Sequence, residues 1–370
     1  GVKDMKLKQL LTTLNEHVPF KTAESWDNVG LLIGDEESDV TGILTALDCT
    51  EVVVDEAIEL GYNTIISHHP LIFKGVQSIV QQEGYGAIIR KLIQHDINLI
   101  ALHTNLDVYP QGVNAMLADR LQLSDVDILN PQTTEYYKVQ VFIPETDVET
   151  FKDQLSRHGL AQEGNYEACY FQSQGKGQFK PVGDANPTLG EVGEIEHVDE
   201  MKVEFMIAPH QRQLAQRAIE KYHPYETPVY DIMHMTKFSE RGLGVIGQLN
   251  QSMDVPTFVK QVKSQLDMPS VRFIGDEHSK IETVAIIGGA GVGFETLAHN
   301  LGADIFITGD IKHHEALDAK IAGIKMLDIN HYSEYVMKEG LVNLLNSWYN
   351  HQLEIPVKAS GHNTDPYSYY

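Results

Sequence analysis

Short apolar runs recur through the first third of this chain, each followed by a segment whose apolar residues return at helical spacing. Gly42 to Asp48, Asn63 to Ser67 and Asn98 to Leu102 read as strands, and Leu7 to His17, Glu51 to Leu60 and Tyr85 to His95 as helices. Such a rhythm builds βαβ units, so the fold class expected is α/β, a parallel or mixed sheet covered by helices.

After Pro131 the texture changes. Lys138 to Ile143 reads as a strand and Val148 to His158 as a helix. Tyr166 to Gln172 and Met201 to Ala208 read as strands, Gln211 to Tyr222 as a helix, and Val229 to Met235 as a last strand. The order β-α-β-β-α-β is the ferredoxin-like pattern. Ser173 to Asn186, rich in Gly, Gln and Lys, reads as a mobile loop between its middle strands. From Gly244 the first texture returns, with strands at Val284 to Ile287, Ile305 to Thr308 and Lys325 to Ile329. Helices are expected at Phe294 to Leu301, Lys312 to Ala322 and Tyr332 to Tyr349. The expected organisation is a discontinuous α/β core, residues 5–130 plus 244–370, split by an inserted ferredoxin-like domain over residues 133–240.

The 370 residues leave room for two cores. Cys49 and Cys169 stand far apart without a Cys-x-x-Cys spacing, which excludes a disulfide framework and the usual thiolate zinc sites. Any metal is therefore expected on nitrogen and oxygen ligands. With 28 basic against 52 acidic residues the net charge is −24, which disfavours nucleic acid as a partner. No apolar stretch approaches the ~18 residues of a membrane helix, so a soluble, cytoplasmic protein is expected. The residues before Met5 read as the remnant of an expression tag.

Three of the strand ends carry metal-binding residue types. His68-His69-Pro70 closes Thr64 to Ser67, His103-Thr104-Asn105-Leu106-Asp107 follows Leu99 to Leu102, and His331-Tyr332-Ser333-Glu334 follows Met326 to Ile329. Imidazole is a common ligand near neutral pH, and a residue three positions along a helix shares its face. If His331 opens a helix, Glu334 joins it. Parallel-strand ends lie along one sheet edge, so His68, His69, Asp107, His331 and Glu334 are expected to converge there. Three imidazoles and two carboxylates suit a binuclear site of zinc, iron or manganese.

His313 and His314, with Asp310, form a competing set at another strand end. Gly288 to Gly293 follows a strand and precedes a helix, a context that fits either a phosphate-cradling turn or a tight turn with no ligand. The full Gly-x-Gly-x-x-Gly fingerprint is absent, because Phe294 stands where the last glycine belongs. No Gly-x-Ser-x-Gly elbow and no Gly-Lys-Ser or Gly-Lys-Thr ending is present.

In combination, Glu24-Ser25-Trp26-Asp27-Asn28-Val29-Gly30-Leu31, Ser67-His68-His69-Pro70, His103-Thr104-Asn105-Leu106-Asp107 and His331-x-x-Glu334 resemble the Nif-three-like family, whose members are labelled type-2 GTP cyclohydrolase I homologues. The resemblance implies two divalent ions per subunit, zinc first, held by His68, His69, Asp107, His331 and Glu334. It also implies a toroidal homohexamer and a small-molecule substrate, a nucleotide among the candidates. The implied reaction is hydrolytic opening of the guanine imidazole ring with loss of formate, a metal-bound hydroxide attacking and His103 shuttling protons. Tyr222-His223-Pro224-Tyr225-Glu226-Thr227-Pro228-Val229-Tyr230-Asp231 resembles the PII and CutA type of domain, with Thr227 where a second acid is usual. The alternative is a non-catalytic metal-binding scaffold whose insert senses a ligand.

Overall fold

Burial decides which of these runs become strands, and the computed structural model describes residues 1–80 and 84–370. α1 (Leu7–His17) turns Leu7, Leu10 and Leu14 onto one buried stripe. β1 (Gly30–Ile33) and β2 (Ile43–Ala46) precede α2 (Glu51–Leu60). β3 (Thr64–Ser67), α3 (Gly84–Gln94) and β4 (Asn98–Ala101) follow, and all four residues of each of these strands are buried. α4 (Thr104–Asp107) and α5 (Val113–Arg120) lead into the long strand β5 (Ser124–Pro144).

Two compact units divide the chain, residues 1–132 with 240–370 and residues 133–239. In the second, the end of β5 is followed by α6 (Val148–Arg157), β6 (Phe171–Phe179), β7 (Glu196–Ile207), α7 (Arg212–Tyr222) and the start of β8 (Val229–Asp254). β7 pairs antiparallel with both β5 and β6. Val141, Phe151, Leu155, Val203, Phe205 and Ile219 fill the core beneath.

β6 corrects the expected loop. It starts at Phe171, not at Tyr166, and runs through the polar Gly-Gln-Lys stretch to Phe179, each residue paired with β7 from Phe171 opposite Glu204 to Phe179 opposite Glu196. Backbone ladder bonds are indifferent to side-chain polarity. At Gly177 a Cβ would stand 2.5 Å from the Glu200 carboxyl carbon, so the glycine that suggests a loop is what admits the cross-strand carboxylate.

The first unit continues with α8 (Val255–Gln265), β9 (Arg272–Ile274), β10 (Lys280–Ile286), α9 (Glu295–Asn300), β11 (Ile305–Thr308), α10 (His313–Ile321), β12 (Met326–Asp328), α11 (Met337–Trp348) and β13 (Val357–Ala359). One sheet has the order β1-β4-β3-β2-β13, with β1 antiparallel to β4 and the rest parallel. In the other sheet this unit holds the order β8-β10-β11-β12-β9, with β10, β11 and β12 parallel and the outer two antiparallel to their neighbours. The architecture is mixed α/β, two mixed sheets covered by helices. The expected helix from Tyr332 opens instead as a 3-10 turn over His331–Val336 before α11. Side chains three apart eclipse one another in that turn, so His331 and Glu334 still share a face.

His223, next to α7, is held neutral by geometry as well as burial. Its Nε2–H donates to the Phe142 carbonyl at 2.7 Å, while its Nδ1 accepts the Tyr225 N–H at 3.0 Å. Burial lowers its pKa. The unfolded chain binds the proton first, so stability is fully present above about pH 6.5 and declines as pH falls below it. Urea midpoints compared at pH 7.5 and 5.5 should therefore show a smaller acid loss in His223→Gln than in the parent; equal losses would contradict this.

Candidate metal site

The apolar strand β3 carries its ladder one step past Ser67, because the His68 and His69 N–H groups donate to the carbonyls of Ala46 and Leu47 at 3.1 and 2.9 Å. This fixes both imidazoles at the sheet's carboxyl end. The His68 Nδ1–H donates to the Leu102 carbonyl at 2.7 Å, which leaves Nε2 as the free lone pair. That atom is fully buried and has no hydrogen-bond partner, although Asp107 Oδ1 and Glu334 Oε1 each stand 3.4 Å away.

On the other side, His69 Nε2 lies 2.9 Å from Glu334 Oε2 and 3.2 Å from His331 Nε2, and His331 Nε2 is 3.1 Å from the same oxygen. Glu334 is buried, with one carboxylate oxygen facing the His68–Asp107 side and the other the His69–His331 side. Among the described residues, three groups have ligand atoms within 4.8 Å of one another: His68, Asp107 and Glu334; His69, His331 and Glu334; and His68, His69 and His103. These residues could hold metal ions. Orphaned and crowded imidazole nitrogens around a shared carboxylate are the donor chemistry that a borderline divalent cation satisfies.

All five expected ligand residues are thus brought together, but by two sheets. His68 and Asp107 follow β3 and β4 of one sheet, whereas His331 and Glu334 follow β12 of the other. The expectation of a single sheet edge is corrected: strand ends of both sheets supply the pocket.

Aspartates set the orientation of the outer rings. His69 Nδ1 lies 2.7 Å from Asp48 Oδ1, His331 Nδ1 lies 2.7 Å from Asp310 Oδ2, and His103 Nδ1 lies 2.9 Å from Asp27 Oδ1. Such carboxylate–histidine pairs fix the tautomer and turn Nε2 toward a metal. Asp27 also accepts from the Thr104 N–H at 3.1 Å and hydroxyl at 2.6 Å. Asp48 and Asp27 are the residues that sequence reasoning misses as partners; their only signal is position, directly after the β2 run and beside Trp26 in the quoted motif. Asp310 joins His331 rather than His313 or His314, which lie at the exposed start of α10 with rings 5.2 Å apart. Among the described residues neither belongs to a potential metal-holding group.

Electrostatics follow from burial and pairing. Burial disfavours charge on His68, yet the Glu334 and Asp107 carboxylates hold its pKa well above the ordinary value. His331 is likewise disfavoured by burial and still raised to about 9 by Glu334 and Asp310. Burial works against Glu334 ionisation too, and the His68, His331 and His69 contacts keep its pKa well below the ordinary range. The pocket holds protons in this state, and a metal bound there would have to displace them.

The glycine turn serves this pocket structurally. The N–H groups of Gly288, Gly291 and Gly293 donate to Asn114 Oδ1, Thr308 Oγ1 and Glu295 Oε2 at 2.8, 2.7 and 2.6 Å. These three amides are spent on bonds within the protein and are not offered to an anion. Gly289 has φ 75°, and a Cβ there would stand 2.6 Å from Glu334 Oε1.

Such a fold and pocket define an α/β protein with a histidine–carboxylate group able to take metal. The family described as Duf34/NIF3 (NGG1p interacting factor 3) matches residues 5–366. Over 366 residues, 99% of this chain and 100% of the relative, the chain is 61% identical to the Staphylococcus aureus (strain MRSA252) protein named GTP cyclohydrolase 1 type 2 homolog. The crystal structure of Staphylococcus aureus protein SA1388 matches with a TM-score of 0.86 at 55% identity, covering 100% of both chains. That of a Bacillus cereus protein related to NIF3 matches with a TM-score of 0.72 at 37% identity, covering 99% of each. The chain belongs to the Duf34/NIF3 family.

Gly289→Ala should lower metal content and cost about 1–3 kcal/mol of stability, from left-handed strain plus contact with Glu334. Gly75→Ala, where an added methyl meets open space, should change neither. Normal metal content and melting temperature in Gly289→Ala would refute the packing role.

Proposed function

We propose that this protein is a metal-dependent hydrolase acting on a small heterocyclic substrate. Two divalent ions, zinc first and iron or manganese next, would be held by His68, Asp107, His69 and His331, with Glu334 between them. The observation that carries the reading is the buried, unpartnered His68 Nε2 facing the same carboxylate that His69 and His331 crowd from the other side. Bound there, the ions would supply Lewis acidity and bring the pKa of water close to neutrality.

The chain's own groups account for proton handling. Asp27 accepts the His103 Nδ1–H, so Nε2 is left as the basic atom on the pocket side, 5.2 Å between ring centroids from His68 and 5.6 Å from His69. His103 thus takes a proton from the attacking water and returns it to the leaving group. Relatives named GTP cyclohydrolase 1 type 2 homolog support a nucleotide substrate, opened hydrolytically with loss of formate. In the second unit, the order β5-α6-β6-β7-α7-β8 supports a ferredoxin-like insert of the PII and CutA type.

Metal analysis joined to an assay of formate release from GTP tests the proposal. Purified protein should carry divalent metal, and His68→Ala combined with His331→Ala should remove it. His103→Ala should keep the metal while losing about 10²–10⁴-fold in turnover. Metal-free wild-type protein, or metal retained by the double variant, would contradict the site. Metal-loaded protein that releases no formate would favour the scaffold reading.

A further inference from the structure

A cavity of about 520 Å³ opens on His69 and His331, and the segment after β13 forms one of its walls. Residues 361–370 have no regular secondary structure, yet they are laid across the unit by specific bonds. Lys338 Nζ donates to the Ser360 and His362 carbonyls at 3.0 and 3.3 Å, and the Thr364 hydroxyl donates to Asp48 Oδ2 at 2.6 Å. Asp48 uses its other oxygen to orient His69, so the segment is tied to the pocket's own histidine. Beyond that tether the Tyr367 N–H and the Tyr369 hydroxyl both return to Asp365, each at 3.0 Å, which folds the two tyrosines over the cavity.

Tyr332 lines the same cavity, placed by stacking on Tyr335 at 5.4 Å and 22°, with the Tyr335 hydroxyl bonded to the Leu266 carbonyl at 2.6 Å. Tyr367 and Tyr369 are 70% and 37% exposed, so ring surface remains for a ligand. The charged lining is already paired: Asp48 with His69, Asp310 with His331 and Asp328 with Arg272, while Asp365 accepts from the two tyrosines. That arginine is already engaged by Asp328 at 2.5 Å and the Ile311 carbonyl at 2.9 Å. Tyrosine walls offer stacking faces to a planar ring. A space of this size accommodates a bicyclic ring with a sugar.

We infer that residues 364–369 form a substrate strap whose tyrosines stack the ring of a purine nucleoside against Tyr332, beside the histidine–carboxylate pocket. The inference rests on the proposed function in placing the reactive ring next to the metal ligands, but it stands on the tyrosine walls. Calorimetric titration of full-length, metal-loaded protein with guanosine tests it, metal content being measured on every sample.

Guanosine should bind saturably. Replacing both Tyr367 and Tyr369 with Ala should weaken guanosine binding by about tenfold to a hundredfold at unchanged metal content. Replacing Tyr367 alone with Phe should preserve it, because stacking needs the ring and Tyr367 is held to Asp365 by its backbone N–H rather than its hydroxyl. Absence of guanosine binding at millimolar concentration would overturn the inference, as would wild-type affinity in the double-Ala protein. Guanosine binding to protein that takes up no metal would retain the strap and reject the metal proposal instead.

Discussion

Glu334 is the carboxylate on which the first unit's functional architecture depends. Taking an ionised carboxylate out of water is costly unless partners replace the lost solvation. Here those partners are His68, His69 and His331, delivered by β3 from one sheet and by the turn after β12 from the other. With protons they form buried ion pairs; the same lone pairs and oxygens are donors that could hold divalent cations. The crowding that protons tolerate is the geometry that metal rewards, which links the pocket's electrostatics to its proposed cofactor.

Around this carboxylate the fold spends residues on orientation. Asp48, Asp310 and Asp27 each accept from the outer nitrogen of an imidazole, so each ring presents its remaining nitrogen inward. Gly289 keeps a turn close enough to leave no room for a side chain beside Glu334. Asn330 adopts φ 67°, held by its N–H to Asp328 and its amide to Ser270, and this sharp bend delivers His331. Positive φ in a non-glycine residue is uncommon, and it falls here on the residue directly before a pocket histidine.

Much of this was legible in the chain. α1 and α2 match their expected bounds, because apolar spacing at 3.6 residues reports a buried stripe directly. His68, His69, Asp107, His331 and Glu334 stand out because each follows an apolar run, where an α/β fold exposes its strand ends. The orienting aspartates do not stand out, since an aspartate after a strand is ordinary turn chemistry. Nor can a linear pattern say that two sheets, rather than one, supply the pocket. The polar residues of β6 mislead for a related reason: the backbone bonds that make it a strand leave no trace in its side chains.

If Glu334 joins two metal centres, its loss and the loss of a ligand on one side must differ in kind. Metal stoichiometry of purified Glu334→Ala and Asp107→Ala proteins, measured by plasma mass spectrometry, tests this most directly. The account predicts that Asp107→Ala keeps close to half of the wild-type metal, on the His69–His331 side, while Glu334→Ala keeps almost none. Wild-type stoichiometry in Glu334→Ala would contradict it.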